Sequence, residues 1–575
     1  MERRASRDLT TTPGLAPWSA LARGFVRHAA EEWQSTGLYR LSLDNPAPKA
    51  LAAAPRDYRP SDPDIGRAIL AGRFTLAGAT LDVGPDGDPW DRTSPSRLYA
   101  VQLHRFAWLP DLLATGDAGS RAALRLFLDW RRLFGRVSPF AWGADVLERR
   151  VYGLACAGRR IGAVASEAET ALFAGLLAAQ ARHLGRVKDA SPARAAERAT
   201  AMAVAGTALA GPIGEQILSR ALTALNKALK DVVLPDGGLK TRSPEGALEL
   251  ALDLLTLDDA LLQRGREAPP EVSRALDRLT GAVRFFTLGD GRLACFHGGE
   301  GSDPARVEAA RLHHDEGETK AYGYAPHSGY HRLAGRTLQV MVDAAPAPDG
   351  PWSETACAHI LALEVTAGRD RLISNTAWSP RAAGPYALRR TAGGCTAMLD
   401  DATAGAPLTG FQGRMLGPRL VGGPQRVEAR RNEEKAGVWL ELAHDGWARP
   451  FGLVHERRIY LDPGGDELRG EDRFIPSHDS HAHAPVAVDY AVRFHLHPDV
   501  KVSLARDKKS VLLRGPSNRG WWFRNDAEQV VLEPSVHFEH GLPRRSVQIV
   551  LRGPAGPGMR ARVRWKLATV EPAKD

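Results

Sequence analysis

The stretch "HSGYHRLAGRTLQVMVDAA", residues 327–345, is where the hydrophobic period of this chain changes. Its second half, "RTLQVMVDA", alternates apolar and polar positions between Gly335 and Pro346, which is the pattern of a half-buried strand. From Gly323 onward the chain keeps that pattern. "ILALEVTA", "GVWLELAHDG", "LVHERRIYL", "YAVRFHLHPDV", "SVQIVLRG" and "RARVRWKLATV" are short runs parted by Gly, Pro and Asp. Such a series predicts a large antiparallel β-sandwich over residues 321–575. Within it, "ETACAHILALEVTAG" (354–368) reads as one strand with Cys357, His359, Leu361 and Leu363 on a single face. "RFHLHP" places His495 and His497 together as sheet-surface residues, and adjacent Trp521 and Trp522 must face opposite sides.

Upstream the apolar spacing is three and four. "RAALRLFLDWRRLF" (121–134), "ADVLERRVYGLACAG" (144–158), "EAETALFAGLLAAQARHLG" (167–185), "GEQILSRALTALNKALKDVV" (214–233), "EGALELALDLLTLDDALLQRG" (245–265) and "PPEVSRALDRLTGAVRFF" (269–286) each predict a helix. The stops between them have chemical reasons: Pro212 interrupts, "LPDGG" turns, and Ser243 caps with Pro244 at the first helical position. Ala/Leu-rich helices in series without a strict repeat predict stacked antiparallel pairs closed into an (α/α) toroid over residues 96–320. Residues 1–95 form an N-terminal arm and the first helices. The fold class is α+β multidomain: a toroid followed by a sandwich.

The composition is that of a globular chain of 575 residues, 43% hydrophobic and 25% charged. A net charge of +9 names no partner, and no nucleic-acid signature accompanies it. Cys156, Cys295, Cys357 and Cys395 are scattered and read as free thiols. No run of apolar residues is long enough for a membrane span. The first residues lack a secretory pattern, so a cytoplasmic location is the expectation from sequence.

The toroid-then-sandwich order, with "HSGYHRLAGRTLQVMVDAA", "AHILALEVTAGRDRLISN" (358–375), "AHDGW" (443–447) and "HERRIYLDPGGDELRGEDRF" (455–474), resembles the heparinase II/III family of polysaccharide lyases. "LPDGGLKTRSPEGALEL" and "LGDGRLACFHGGEG" in the helical half agree. The resemblance implies β-elimination on an acidic, uronic-acid-containing glycan held between the two halves, and a place in the cell envelope. Elimination needs a group that neutralises the carboxylate, a base for the C5 proton and an acid for the leaving oxygen; each positioned acid or base contributes about 10²–10⁴ in rate.

Carried over by residue, the resemblance puts Arg182 and His183 of "QARHL" where an Asn–His pair is usual, as neutraliser and proton relay. The family's Ser-Pro-x-Tyr-His pattern is "SPEGA" here, with Gly246 and Ala247 for Tyr and His. Glu245 is then the nearest substitute, although an acidic residue in a helix's first turn has its own dipole reason. A His-x-His on the sandwich strand becomes Cys357 and His359. Arg242, Tyr330 and His331 are expected along the substrate groove; packing in the first sandwich strand is the ordinary role for the last two.

The lyase reaction requires no cofactor. Two alternatives stand open for a structural zinc in the sandwich. Either His359 and His444 hold it with Cys357 or Asp445, or the metal is lost, Asn375 standing where the family has Asp, and the imidazoles serve as hydrogen-bonded residues. Two rival functions remain beside the lyase: a glycan-binding protein on the same scaffold, and a toroid hydrolase using two carboxylates such as Asp236 and Glu245.

Overall fold

The computed structural model describes Ala29 and residues 32–34, 36–187, 191–312, 322–381, 386–478, 486–556, 559 and 561–570. The expected helices are present, as Asp117–Phe134, Ala144–Gly162, Glu167–Leu184, Ala195–Ala208, Gly211–Val232, Pro244–Leu262 and Pro270–Phe286. Their ends follow local chemistry. Ser166 and Glu169 close a capping box on Glu167–Leu184, and the Ser243 hydroxyl accepts from the Gly246 amide to start Pro244–Leu262. That last helix is buried on nearly every side, which makes it central. Its Asp253 carboxylate, taken fully out of solvent, is met by Arg59 at 2.6 Å and Arg149 at 2.5 Å. Helices Ala195–Ala208 and Gly211–Val232 approach so closely that a Cβ on Gly206 would lie 2.6 Å from the Leu218 nitrogen.

Residues 37–95 do not form a separate unit: Tyr39, Leu43, Ile69, Phe74 and Trp90 belong to the same core as the later helices.

The strand half is a sandwich. An eight-stranded antiparallel sheet runs, in spatial order, Val427–Glu434, Gly437–His444, Leu453–Asp462, Glu467–Pro476, Ala561–Thr569, Gly520–Asn525, Val511–Arg514 and Lys501–Leu504. Opposite it lie a four-stranded sheet (Gln529–Glu539, Leu542–Ala555, Val488–His495, Ala397–Leu399) and a five-stranded one from Tyr324–Ala325 to Asp370–Ile373. The bridge between Ile373 and Leu496 links those two. One apolar core serves all three sheets; Phe494 of the four-stranded sheet meets the Trp565 ring of the eight-stranded sheet at 4.9 Å. Trp521 is fully buried in this core while Trp522 keeps partial exposure, as alternation requires.

Two local expectations need correction. The strand read at 354–368 begins only at Leu363. Leu361 has φ +57, a left-handed conformation that ends the alternation, so Cys357 and His359 sit in irregular chain. His495 and His497 are not on the surface but buried. His481 and His483 of "HDSHAHAP" lie outside the described residues.

The two halves meet along a seam built by the first sandwich strands. Tyr330, Met341 and Ala362 are part of the helical core. Arg332 donates to the carbonyls of Phe285 and Thr287 at the end of Pro270–Phe286. Asp236, in the "LPDGG" turn, accepts the amides of His327 and Ser328, both at 2.7 Å. Among the described residues no helix is long and apolar enough to cross a membrane.

Candidate functional site

Along the seam lies a linked set of buried ionisable groups. Arg242 precedes the capping Ser243 and holds a left-handed φ of +55, a strained choice for a non-glycine residue. That conformation turns its side chain into the sandwich. The guanidinium donates to the carbonyls of Ser328 (2.7 Å), Pro346 (2.8 Å), Ala345 (3.1 Å) and Gly329 (3.2 Å), and to Asp343 Oδ1 at 2.5 Å. It also lies 4.8 Å from the Tyr330 ring centre, and the Tyr330 hydroxyl donates to the Arg242 carbonyl at 2.7 Å. Asp343 Oδ2 meets His297 Nε2 at 2.9 Å. The Cys357 amide donates to His297 Nδ1 at 3.2 Å, which fixes the proton on Nε2. The 3.4 Å approach of Arg242 Nη1 to that same Nε2 is then a contact between two donors, not a hydrogen bond. Burial opposes the Asp343 charge, yet Arg242 and His297 together hold its carboxyl below the usual range. Burial keeps His297 neutral and raises the Tyr330 phenol.

A second knot binds the same seam. Glu245, in the first turn of Pro244–Leu262, accepts the Glu300 amide at 2.6 Å and pairs with Arg381 of the sandwich. Glu300 takes the Ser379 hydroxyl and, at 2.7 Å, the Gly541 amide; burial raises its carboxyl. The Arg381 side chain keeps 36% exposure overall, while its guanidinium pairs with Glu245 and Glu300 and burial lowers it to about 10.

The other candidates lie apart. Arg182 donates to the Leu43 carbonyl (2.6 Å) and the Pro46 carbonyl (2.8 Å), satisfying the end of helix Gly37–Asp44. His183 bonds through Nδ1 to the Tyr39 hydroxyl at 2.7 Å, and burial lowers it to about 4. Arg182 and His183 on one side and Cys357 and His359 on the other share no hydrogen-bond partner among the described residues. Cys357 packs against Trp378 and Phe538, and burial pushes its thiol up to about 12. His359 bonds the Leu388 carbonyl at 3.0 Å, presses on Gly394 and is lowered by burial to about 4. His331 stacks on Tyr324 at 4.4 Å and is likewise buried. Packing is therefore its role.

His444 and His359 occupy different networks. The Gly446 amide donates to His444 Nδ1, so His444 Nε2 carries the proton toward His455 Nδ1 at 3.2 Å. His455 Nε2 reaches Asp472 at 2.8 Å, and Arg457 and Trp565 complete that carboxylate's partners. Asn375 is consumed by the Cys295 carbonyl, Glu364 and the Cys395 amide. Of the two open alternatives, the donors as placed fit hydrogen-bonded imidazoles, not a zinc between His359 and His444. Asp236, with its seam amides and the Gly238 amide, is likewise a turn residue and not a free carboxylate.

His297, Glu300, Asp343 and Arg381 were not singled out by sequence. His297 and Glu300 sit in the glycine-rich "FHGGEG", where φ is +44 at His297, +92 at Gly298 and +86 at Gly301. A polar residue in a run of left-handed turns is a signal that could have found both.

The chain belongs to the heparinase II/III-like family: "Heparinase II/III-like, C-terminal" matches residues 317–566. Among curated proteins it is 51% identical to "FtsZ-localized protein C" of Caulobacter vibrioides, over 96% of each chain. Among solved structures it resembles "Heparinase III" with a TM-score of 0.66 at 13% identity, over 97% of this chain and 92% of that one. The heparan sulfate lyase HepC of Pedobacter heparinus follows the same path with a TM-score of 0.55 at 16% identity, over 98% and 92%.

Proposed function

We propose that this protein works by binding rather than by cleaving: a heparinase-type scaffold that acts with FtsZ in the division apparatus. The observation that carries the reading is the 51% identity, end to end, with a protein named for its localisation with FtsZ. The seam chemistry supports it. Gly246 and fully buried Ala247 occupy the positions of the family's Tyr and His. Arg242, His297, Asp343 and Tyr330 saturate one another, so none is poised to take or give a proton to a sugar. The test is co-sedimentation of the full chain with FtsZ polymers, together with a fluorescent fusion in dividing cells. A supernatant that keeps the protein, with diffuse fluorescence, would overturn it.

A second reading, elimination on a uronic-acid glycan, has one observation in its favour. Arg381, whose side chain keeps partial exposure, lies 3.7 Å from Glu300, a carboxyl that burial raises. In that reading Arg381 meets the uronate and no cofactor is needed. It predicts near-ultraviolet absorbance from unsaturated uronate ends on some acidic polysaccharide, abolished by Arg381→Ala. Absence of that signal across uronate glycans leaves the binding reading alone.

A further inference from the structure

The strand Gln529–Glu539 carries His537 and Glu539 two positions apart, hence on one face. His497, two residues past the strand Val488–His495, faces them. One donor atom from each of the three lies within 4.8 Å of the others. All three are largely withdrawn from solvent, with side-chain exposures of 10% for His497 and 16% for Glu539, and His537 is 3% exposed. We propose that His497, His537 and Glu539 form a binding site for a divalent transition cation, zinc above all, with three protein ligands and a fourth position for water.

The surroundings are arranged as a metal's outer shell is. His537 Nδ1 donates to the Asn375 carbonyl at 3.0 Å, which leaves its Nε2 lone pair unprotonated and without a partner among the described residues. His497 Nδ1 lies 3.5 Å from the Asp499 carboxylate, a partner that would take the Nδ1 proton once Nε2 bound a cation. The Asp499 amide donates to the same Nδ1 at 3.4 Å, which puts the proton on Nε2 facing Glu539, so cation binding would move that proton to Nδ1. Arg544 holds Glu539 Oε2 at 2.7 Å and leaves Oε1 facing inward, 3.4 Å from His497 Nε2. Two ligands each about 2.1 Å from a tetrahedral zinc stand about 3.4 Å apart, so one edge of the tetrahedron is already set. The mixed nitrogen and carboxylate donors suit zinc better than calcium or magnesium.

The competing charge is Arg292, on the toroid side of the seam, 3.8 Å from the inward oxygen and 30% exposed. Occupation of the site would displace it, so the cation would be sensed across the seam. Arg371, anchored on Asp290 and Glu364, adds a more distant positive charge near His537. None of these ligands is among the residues carried over from the family resemblance.

The experiment is zinc titration of the metal-stripped full chain against a chromophoric chelator, with cobalt substitution to read the coordination. The expectation is one zinc per chain with a tetrahedral cobalt spectrum. Glu539→Gln and His537→Ala should each weaken binding at least about tenfold, and Asp499→Asn by about tenfold. Arg292→Ala should tighten it, a gain that no misfolded variant would mimic. Replacing His478, His481 and His483 together should change nothing. No bound zinc, or affinity that survives Glu539→Gln and His537→Ala but falls with the "HDSHAHAP" histidines, overturns the proposal.

Discussion

Arg242 and Asp343 meet 2.5 Å apart across the seam, one from the loop before a toroid helix and the other from the end of a sandwich strand, both almost entirely out of solvent. A buried pair adds little over an apolar pair of the same shape, because desolvation offsets attraction, but removing one partner strands the other charge. The seam therefore tolerates neither single loss.

Asp343→Asn is expected to destabilise the chain by about 3–5 kcal/mol, since it leaves Arg242 unpaired in a dry pocket. Arg242→Met should cost a comparable amount through the uncompensated carboxylate and the abandoned carbonyls. The double variant should cost less than the sum of the two. Urea denaturation of the three proteins checks this; strict additivity would mean the two side chains do not interact.

The His444–His455–Asp472 relay makes a parallel case inside the sandwich. Arg457 bonds Asp472 at 2.7 Å and also the Leu361 and Cys395 carbonyls, both at 2.8 Å, so it ties the eight-stranded sheet to the irregular chain before Leu363. Its guanidinium and the His455 imidazole hold the Asp472 carboxyl well below the usual range against the effect of burial. Asp472→Asn should cost about 3–5 kcal/mol and loosen the 357–362 segment, seen as faster amide exchange there. Unchanged exchange would detach that segment from the relay.

Acid should weaken the fold through its histidines. Burial lowers His104, His183, His331 and His359 to about 4, and His495 to about 3, from 6.5. Between 6.5 and about 4 the unfolded chain binds protons that the folded chain refuses, so stability falls as pH drops through that window. Each histidine adds about 1.4 kcal/mol per pH unit to the slope. Denaturation midpoints across the window should steepen toward acid, and His359→Gln should remove one proton's worth of slope. A flat profile would contradict the buried neutral imidazoles.

The change of hydrophobic period near Gly323 was sufficient to read a helical half and a sandwich, because burial on one face imposes spacing whatever the tertiary detail. Ser243–Pro244 marked a helix start for the same local reason. The seam was less legible. Arg242 and Tyr330 were read as groove residues, and the structure joins them, but their partners Asp343 and His297 come from distant segments with no spacing rule between them. Left-handed φ at Leu361 broke a strand that alternation alone predicts. His497, His537 and Glu539 belong to two chain segments brought together by sheet and bridge, a proximity that no single sequence window contains.

Arg182 separates a structural from a substrate role most cleanly. Its two bonds to the Leu43 and Pro46 carbonyls fasten helix Gly37–Asp44 to the end of Glu167–Leu184, and nothing in that geometry involves the seam. Arg182→Ala should therefore release the first helix, at a cost of about 1–3 kcal/mol for the lost charged hydrogen bonds, and expose residues near 36–46 to limited proteolysis. Affinity for any acidic glycan and the exchange rates at Glu300 and Gly541 should stay as they were. If glycan binding collapsed while the first helix stayed protected, Arg182 would be a carboxylate receptor after all, and the substrate path would run through the toroid and not along the Arg381 edge of the seam.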